Sequence, residues 1–370
     1  MTKKQILGSV SFMLVLFMMV VALCDLFALD NNATHNQRFS TYASLNEDTV
    51  DAVMIGTSGM DRYWVSAKAY EDYGMTVYPL SYDSCPSWLV LDIMKEALKN
   101  QSPELFIIDV RPFVQSNDSY GEIETRARRV IDSMPFFSTN RIVSAFKTMN
   151  IIRTVDKTAP RIDFSYLFSV IKYHGKWSED DYRFGNNWGE VTNKQMGFYM
   201  WEGHIIKKTP IIPRGHDDDY MEPLDEICAN ALSELIEYTK ENDIKIMFLD
   251  TPQNRIKIDE GRANTIYTIL EDENIPYVHY YTEETASGFT IDLDINNDFY
   301  NQGHTNYYGA VKFTDAFAKH LNDTYDFPDR RTDEKAKEDW DGCYEGIVRR
   351  IKVLEQQKQQ NNAQITVPVN

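Results

Sequence analysis

The chain has 370 residues, room for one large domain or two ordinary ones, and its 43% apolar and 25% charged content is that of a globular protein. A formal charge of −18 excludes a protein built to neutralise nucleic-acid phosphates, and no charge-driven docking on anionic lipid headgroups is expected from it. Four cysteines, Cys24, Cys85, Cys228 and Cys343, stand too far apart for a zinc site or a disulfide framework, leaving at most one bridge.

The first element is a run without charge, ILGSVSFMLVLFMMVVALC from Ile6 to Cys24, which has the length of a bilayer core. Lys3 and Lys4 precede it and Asp25 and Asp30 follow, so the N-terminus is expected in the cytoplasm and the remainder outside. A cleaved signal peptide is the alternative, but the run is long and no A-x-A-like site follows it. Residues 1–29 are therefore read as a cytoplasmic tip with a transmembrane signal anchor, and 30–48 as a polar linker.

A main domain is expected over 49–330. TVDAVMIGTS (49–58) is a buried strand ending in a turn, and MTVYPLS (75–81) is a second strand. WLVLDIMKEAL (88–98) has helical period after Pro86 and Ser87, and ELFIIDV (104–110) is a third strand. From 111 to about 222 the alternation breaks, and the segment reads as a large insertion with helices near Glu122–Asp132 and Arg141–Asn150. The alternation resumes with a helix at 223–242, a strand IKIMFLD (244–250), a helix at 261–274, a strand PYVHYY (276–281), and a last helix from Tyr308 to Asn322. Residues 331–370 form a charged tail, helical in part and disordered over QQNNAQITVPVN.

Apolar strands alternating with amphipathic helices imply a three-layer α/β/α fold, a flavodoxin-like parallel sheet of about five strands. Such sheets bind ligands outside the carboxyl ends of their strands. Ser58 follows the first strand, Asp83 the second and Arg111 the third, and His304 precedes the last helix at the same edge. A serine hydroxyl becomes nucleophilic when an imidazole takes its proton, and the backbone amides of Ser58 and Gly59 are available for an oxyanion. Each residue has a structural alternative: Ser58 as a helix N-cap, and His304 as a packed histidine before a helix capped by Thr305 or Asn306. Asp109 and Arg111 in IIDVRPF either position a substrate or pair with each other. The aromatics Tyr63, Trp64, Trp88, Tyr300 and Tyr307 suit sugar stacking or ordinary core packing. DLDINND (292–298) lacks the glycine and final glutamate of a calcium loop, so no metal is expected. His174, His204 and His216 show no ligand spacing, and no phosphate loop follows any strand, so no cofactor is expected.

MIGTSGM around Ser58 and DFYNQGHTNYYGAVKFT around His304 resemble the first and last signature blocks of the SGNH/GDSL hydrolase superfamily. More narrowly, the anchor, SCPSWLVLDIMKEALKNQSPELFIIDVRPF and FLDTP are similar to membrane-anchored SGNH-like proteins of Gram-positive bacteria. Those proteins, D-alanyl transfer protein-like, act beside a membrane-bound O-acyltransferase on cell-surface polymers. The resemblance implies Ser58 as nucleophile and His304 as base, in an esterase or acyltransferase working on an envelope glycopolymer. The family's acid stands three residues before the histidine, and here that position is Asn301. Asp298 turning in, Asn301 orienting the imidazole, and a Ser-His dyad are the three ways the site could be completed. The family's oxyanion Gly and Asn have no clean counterparts; Ser81, Asp83 and Ser84 in YPLSYDSCPSW stand where donors would be sought. A non-catalytic, glycan-binding accessory subunit is the rival reading, and Asn301 is the residue that feeds it.

Overall fold

The structure is a computed structural model, and it describes residues 2–27, 38–117, 119–178, 195–200, 203–212, 216–282 and 284–365. In chain order, α1 (Lys3–Leu26) and α2 (Arg38–Ser44) precede β1 (Ala52–Gly56). Then follow α3 (Ser58–Tyr63), α4 (Ser66–Tyr73), β2 (Val77–Ser81), α5 (Ser87–Ala97) and β3 (Leu105–Asp109). Next come α6 (Arg111–Val114), α7 (Tyr120–Ile131), α8 (Thr139–Val155) and α9 (Ser169–Tyr173). The alternation returns with α10 (Glu226–Glu241), β4 (Ile246–Asp250), α11 (Lys257–Asp272) and β5 (Tyr277–His279). A small antiparallel pair, β6 (Phe299–Asn301) and β7 (His304–Thr305), leads into α12 (Tyr307–Thr324), α13 (Glu334–Trp340) and α14 (Cys343–Ile365).

The chain divides into two compact units, one of Met1–Ser40 with Asn117–Val191, the other of Thr41–Ser116 with Thr192–Asn370. The segment expected to form one insertion over 111–222 is thus shared between them, and its last part, from Thr192, belongs with the sheet.

The second unit is the α/β fold expected from the pattern. Its five parallel strands run in the order β2-β1-β3-β4-β5, the flavodoxin-like arrangement whose order reverses between β1 and β3. Strand alternation assigns the two faces. Ala52, Met54, Leu105, Ile107, Met247 and Leu249 pack in one cluster with Phe313, Phe317 and Leu321 of α12 and with Trp64. On the opposite face Phe248 meets Phe113 of α6 with ring centroids 6.0 Å apart, and α5 and α10 pack together as the covering layer. Strands β1 to β4 are buried at every position and mostly apolar, as both-sided coverage requires, with Ser81, Asp109 and Asp250 at the carboxyl ends of β2, β3 and β4.

Two boundaries differ from expectation. Within the expected linker, Tyr42 is buried with its hydroxyl on the Ala97 carbonyl, and the Asn46 amide donates to Asp339, so the chain joins the domain before residue 49. At the other end α14 continues to Ile365, past Gln359 where disorder was expected; its many Glu, Gln, Lys and Arg residues are helix formers, and Ile347, Ile351 and Leu354 bury one face. Residues 28–37 and 366–370 lie outside the described residues.

The first unit contains α1, which is long and apolar enough to cross a membrane. Its other helices close around buried charge. Arg128 is ion-paired to Glu124 at 2.9 Å and stacks over the Tyr166 ring at 4.0 Å, while the Tyr173 hydroxyl donates to Asp132 at 2.6 Å.

Candidate active site

β1 ends at Gly56, and the chain turns at once into α3. The N-cap of α3 is Thr57, whose hydroxyl oxygen accepts from the Gly59 amide at 3.3 Å. Ser58 is therefore the first helical residue and not the cap, and its hydroxyl is left for another partner. Asp109, at the end of β3, holds this turn: one carboxylate oxygen accepts from the Thr57 amide at 2.8 Å and from the Thr57 hydroxyl at 2.5 Å. The other accepts from the Arg111 amide at 3.0 Å. Burial pushes the Asp109 carboxyl above the usual carboxylate range, against the pull of Arg111 and of the Thr57 hydrogen bonds.

Asp109 and Arg111 do not form the side-chain pair considered from sequence. The Arg111 guanidinium turns instead to the Thr251 hydroxyl at 2.8 Å and the Gly303 carbonyl at 3.4 Å. It lies so close over Gly59 that a Cβ there would sit 2.8 Å from Arg111 Cζ and 2.7 Å from Thr251 Oγ1. Gly59→Ala is expected to destabilise the fold by about 1–3 kcal/mol through this overlap, read as a lower midpoint in denaturant unfolding.

Ser58 Oγ lies 2.7 Å from His304 Nε2, bringing together two residues 246 positions apart. His304 Nδ1 lies 3.0 Å from Asn301 Oδ1, and that same oxygen accepts from the Gly303 amide at 2.9 Å. The second bond decides the first. A backbone N–H can only donate, so the Asn301 atom facing both groups is the carbonyl oxygen and the imidazole must present Nδ1–H to it. Nε2 then carries the lone pair and accepts from the Ser58 hydroxyl. An amide in the acid position thus holds the same tautomer that a carboxylate would, because Gly303 fixes which way the amide faces. The Gly303 carbonyl accepts in turn from Arg111, while the Tyr63 hydroxyl, 3.3 Å from that carbonyl, donates to the Pro252 carbonyl. Burial raises the Tyr63 hydroxyl to about 12, so it stays a donor.

Asp298 lies elsewhere. It is buried, and its carboxylate accepts from Lys312 at 2.7 Å and from the Asp294 amide at 2.7 Å, bracing the loop before β6 against α12. Asn306 caps α12, with its side-chain oxygen on the Tyr308 and Gly309 amides at 3.0 and 3.2 Å. That leaves His304 out of the cap. Of the residues considered after β2, Asp83 pairs with Arg62 at 2.8 Å, Ser81 is buried at the strand end opposite Gly56, and Ser84 is exposed on the turn with a left-handed φ of 55°.

Arg62, which no motif marks in the sequence, is the other cation of the site. It is buried on α3, with Nη1 3.5 Å from His304 Nε2 and its guanidinium 4.4 Å over the Tyr199 ring. Desolvation first, then the charges of Arg62 and Arg111, hold the His304 imidazole well below its ordinary pKa, with only Asp83 acting the other way. The imidazole is therefore neutral at pH 7. On its other side His304 stacks on Tyr300 with centroids 5.5 Å apart, and Tyr300 stacks on His204 at 5.1 Å. His204 and Tyr199 come from the aperiodic stretch before α10, which is why periodicity could not place them beside the histidine. Tyr63, Trp64 and Trp88 are fully buried core, and Tyr307 meets Tyr344 at 3.5 Å.

Removing the nearer cation tests this electrostatic picture. A base with a depressed pKa loses activity only when pH falls through that low value, and taking away a positive neighbour raises it. Arg62→Gln is expected to move the acid limb of the kcat/KM profile to higher pH, with the alkaline side unchanged.

No protein-family model matches the sequence, and no curated protein is significantly similar to it. Among solved structures, a protein from Bacteroides fragilis NCTC 9343, provisionally described as an acylhydrolase, aligns over 80% of this chain and 99% of its own at 13% identity and a TM-score of 0.37.

Proposed function

We propose that the protein is an extracytoplasmic serine O-acyltransferase or esterase of SGNH type, held at the membrane by α1 and acting on a cell-envelope polysaccharide or teichoic acid. The observation that carries this reading is the Ser58–His304–Asn301 chain of hydrogen bonds at the carboxyl edge of the sheet. Ser58 Oγ attacks the acyl carbonyl while His304 Nε2 takes the hydroxyl proton. The oxyanion that forms is met by the Ser58 amide and by the Arg111 guanidinium behind Gly59. His304 returns the proton to the departing oxygen or sulfur, leaving the acyl group as an ester on Ser58. An acceptor hydroxyl, or water, then gives its proton to His304 and attacks that ester, and Ser58 recovers its proton as the product leaves.

Transfer is preferred to hydrolysis in this proposal because the anchored Gram-positive proteins that the sequence resembles work beside a membrane-bound O-acyltransferase. The anchor would tether the site to such a partner and raise its effective concentration. The test is to incubate the purified full chain with a small acyl ester, with and without a soluble glycan acceptor. Ester consumption, with acyl groups appearing on glycan hydroxyls only when Ser58 is present, supports the reading. If the wild-type protein neither consumes the ester nor reacts with a fluorophosphonate, the accessory-subunit reading replaces it.

A further inference from the structure

Exposed apolar side chains are unevenly spread. Among the described residues, fifteen large apolar side chains outside α1 are exposed, and nine of them lie between Phe137 and Trp177. On α8, Ile142, Val143 and Phe146 share one outward face by their three- and four-residue spacing, while Ala145, Met149 and Ile152 point inward. A helix on a water-facing surface would turn polar residues outward. Phe137 and Trp177 add exposures of 70% and 66% in the same unit.

Contacts with α1 indicate what covers this surface. The Phe137 ring meets Phe17 of α1 with centroids 6.2 Å apart, and the Ser169 hydroxyl of α9 donates to the Cys24 carbonyl at 2.7 Å. Phe17 lies nine residues before the end of α1 at Leu26, about 14 Å along the helix axis. Where α1 crosses a bilayer, whatever flanks it at that height stands among acyl chains. Charge points the same way. Residues 117–178 carry ten Lys or Arg against six Asp or Glu, the reverse of the −18 balance of the whole chain. Lys157 and Arg161 are exposed in the loop after α8, and lysine and arginine at a membrane surface attract anionic headgroups.

We propose that the 117–178 segment is a membrane-embedded element: its apolar surface sits in the leaflet at the C-terminal end of α1, and its basic residues engage anionic phospholipid headgroups. The overall negative charge conceals this local basic surface. The proposal rests on α1 spanning the bilayer and is independent of the chemistry at Ser58.

Site-specific fluorescence tests it in the full chain. All four native cysteines are buried, so single cysteines introduced at exposed positions can be labelled selectively with an environment-sensitive dye. Phe146→Cys and Trp177→Cys report on the segment, Phe12→Cys on α1, and Ile256→Cys on the sheet unit. In nanodiscs of phosphatidylcholine and phosphatidylglycerol carrying brominated acyl chains, the dyes at 146, 177 and 12 are expected to emit blue-shifted and lose most of their fluorescence. The dye at 256 is expected to keep its own. Quenching at 12 but at neither 146 nor 177 overturns the proposal while leaving the span intact, and assigns the apolar surface to a protein partner. Absence of quenching at 12 as well overturns the span and the proposal together. Replacing phosphatidylglycerol with phosphatidylcholine alone is expected to weaken quenching at 146 and 177; an unchanged signal removes the headgroup claim.

Discussion

Ser58→Ala is expected to abolish labelling by a fluorophosphonate and to lower ester turnover by about 10⁴-fold or more, leaving only what binding and the oxyanion donors provide. The expectation follows from what the alanine removes and what it spares. Ser58 is the first residue of α3, capped by Thr57 and braced by Asp109, and neither contact involves the Ser58 hydroxyl. The variant should therefore unfold at the same midpoint as the parent while losing its chemistry. A variant that labels and turns over like the parent would remove the catalytic reading altogether, whatever its stability.

The second large effect is expected at Asn301. In Asn301→Leu the acceptor for His304 Nδ1–H disappears, and with it the link that makes Nε2 the basic nitrogen. A fall in kcat of roughly 10²- to 10⁴-fold is expected, with KM little changed, because the loss is in proton transfer and not in ground-state binding. Asn301→Asp is the informative companion. It keeps an acceptor at the same place and adds a negative charge beside an imidazole that two arginines disfavour as a cation. The His304 pKa should then rise, so the acid limb of the rate profile moves to higher pH while the base becomes stronger at neutrality. Rates at pH 7 above the parent's are expected. Equal rates in Asn301→Leu and the parent would show that the imidazole is oriented by its stacking on Tyr300 alone.

These expectations show how much of the site was legible in sequence. Ser58 and His304 could be placed because each abuts an element whose period is unmistakable, a buried strand on one side and an amphipathic helix on the other. The five strands and their parallel arrangement were legible for the same reason. Asn301 could be located but not interpreted: its role depends on which way an amide faces, and that is set by the Gly303 backbone amide, a group every sequence has at every non-proline position. Arg62 was invisible because one turn of helix after Ser58 carries no motif, and its position over Tyr199 needs a contact between segments 137 residues apart. Asp298 was the reasonable guess from charge, but the loop gives it to Lys312. The division of residues 111–222 between two units was likewise hidden. Pattern identifies elements that repeat, and that stretch has too few repeats to show where one body ends.

The separation of Ser58 from His304 has a consequence for how activity is acquired. Every strand of the sheet has been supplied once His279 is reached, yet the base arrives on a later hairpin and is held by the helix that follows. That helix, α12, also brings Phe313, Phe317 and Leu321 to a face of the sheet that would otherwise stay open. A nascent or proteolytically shortened chain ending before β7 would hold Ser58 without His304 and with an incomplete core. In the proposed mechanism, chemical competence and completion of the hydrophobic interior are thereby coupled, because His304 and the last apolar layer over the sheet come from adjoining segments.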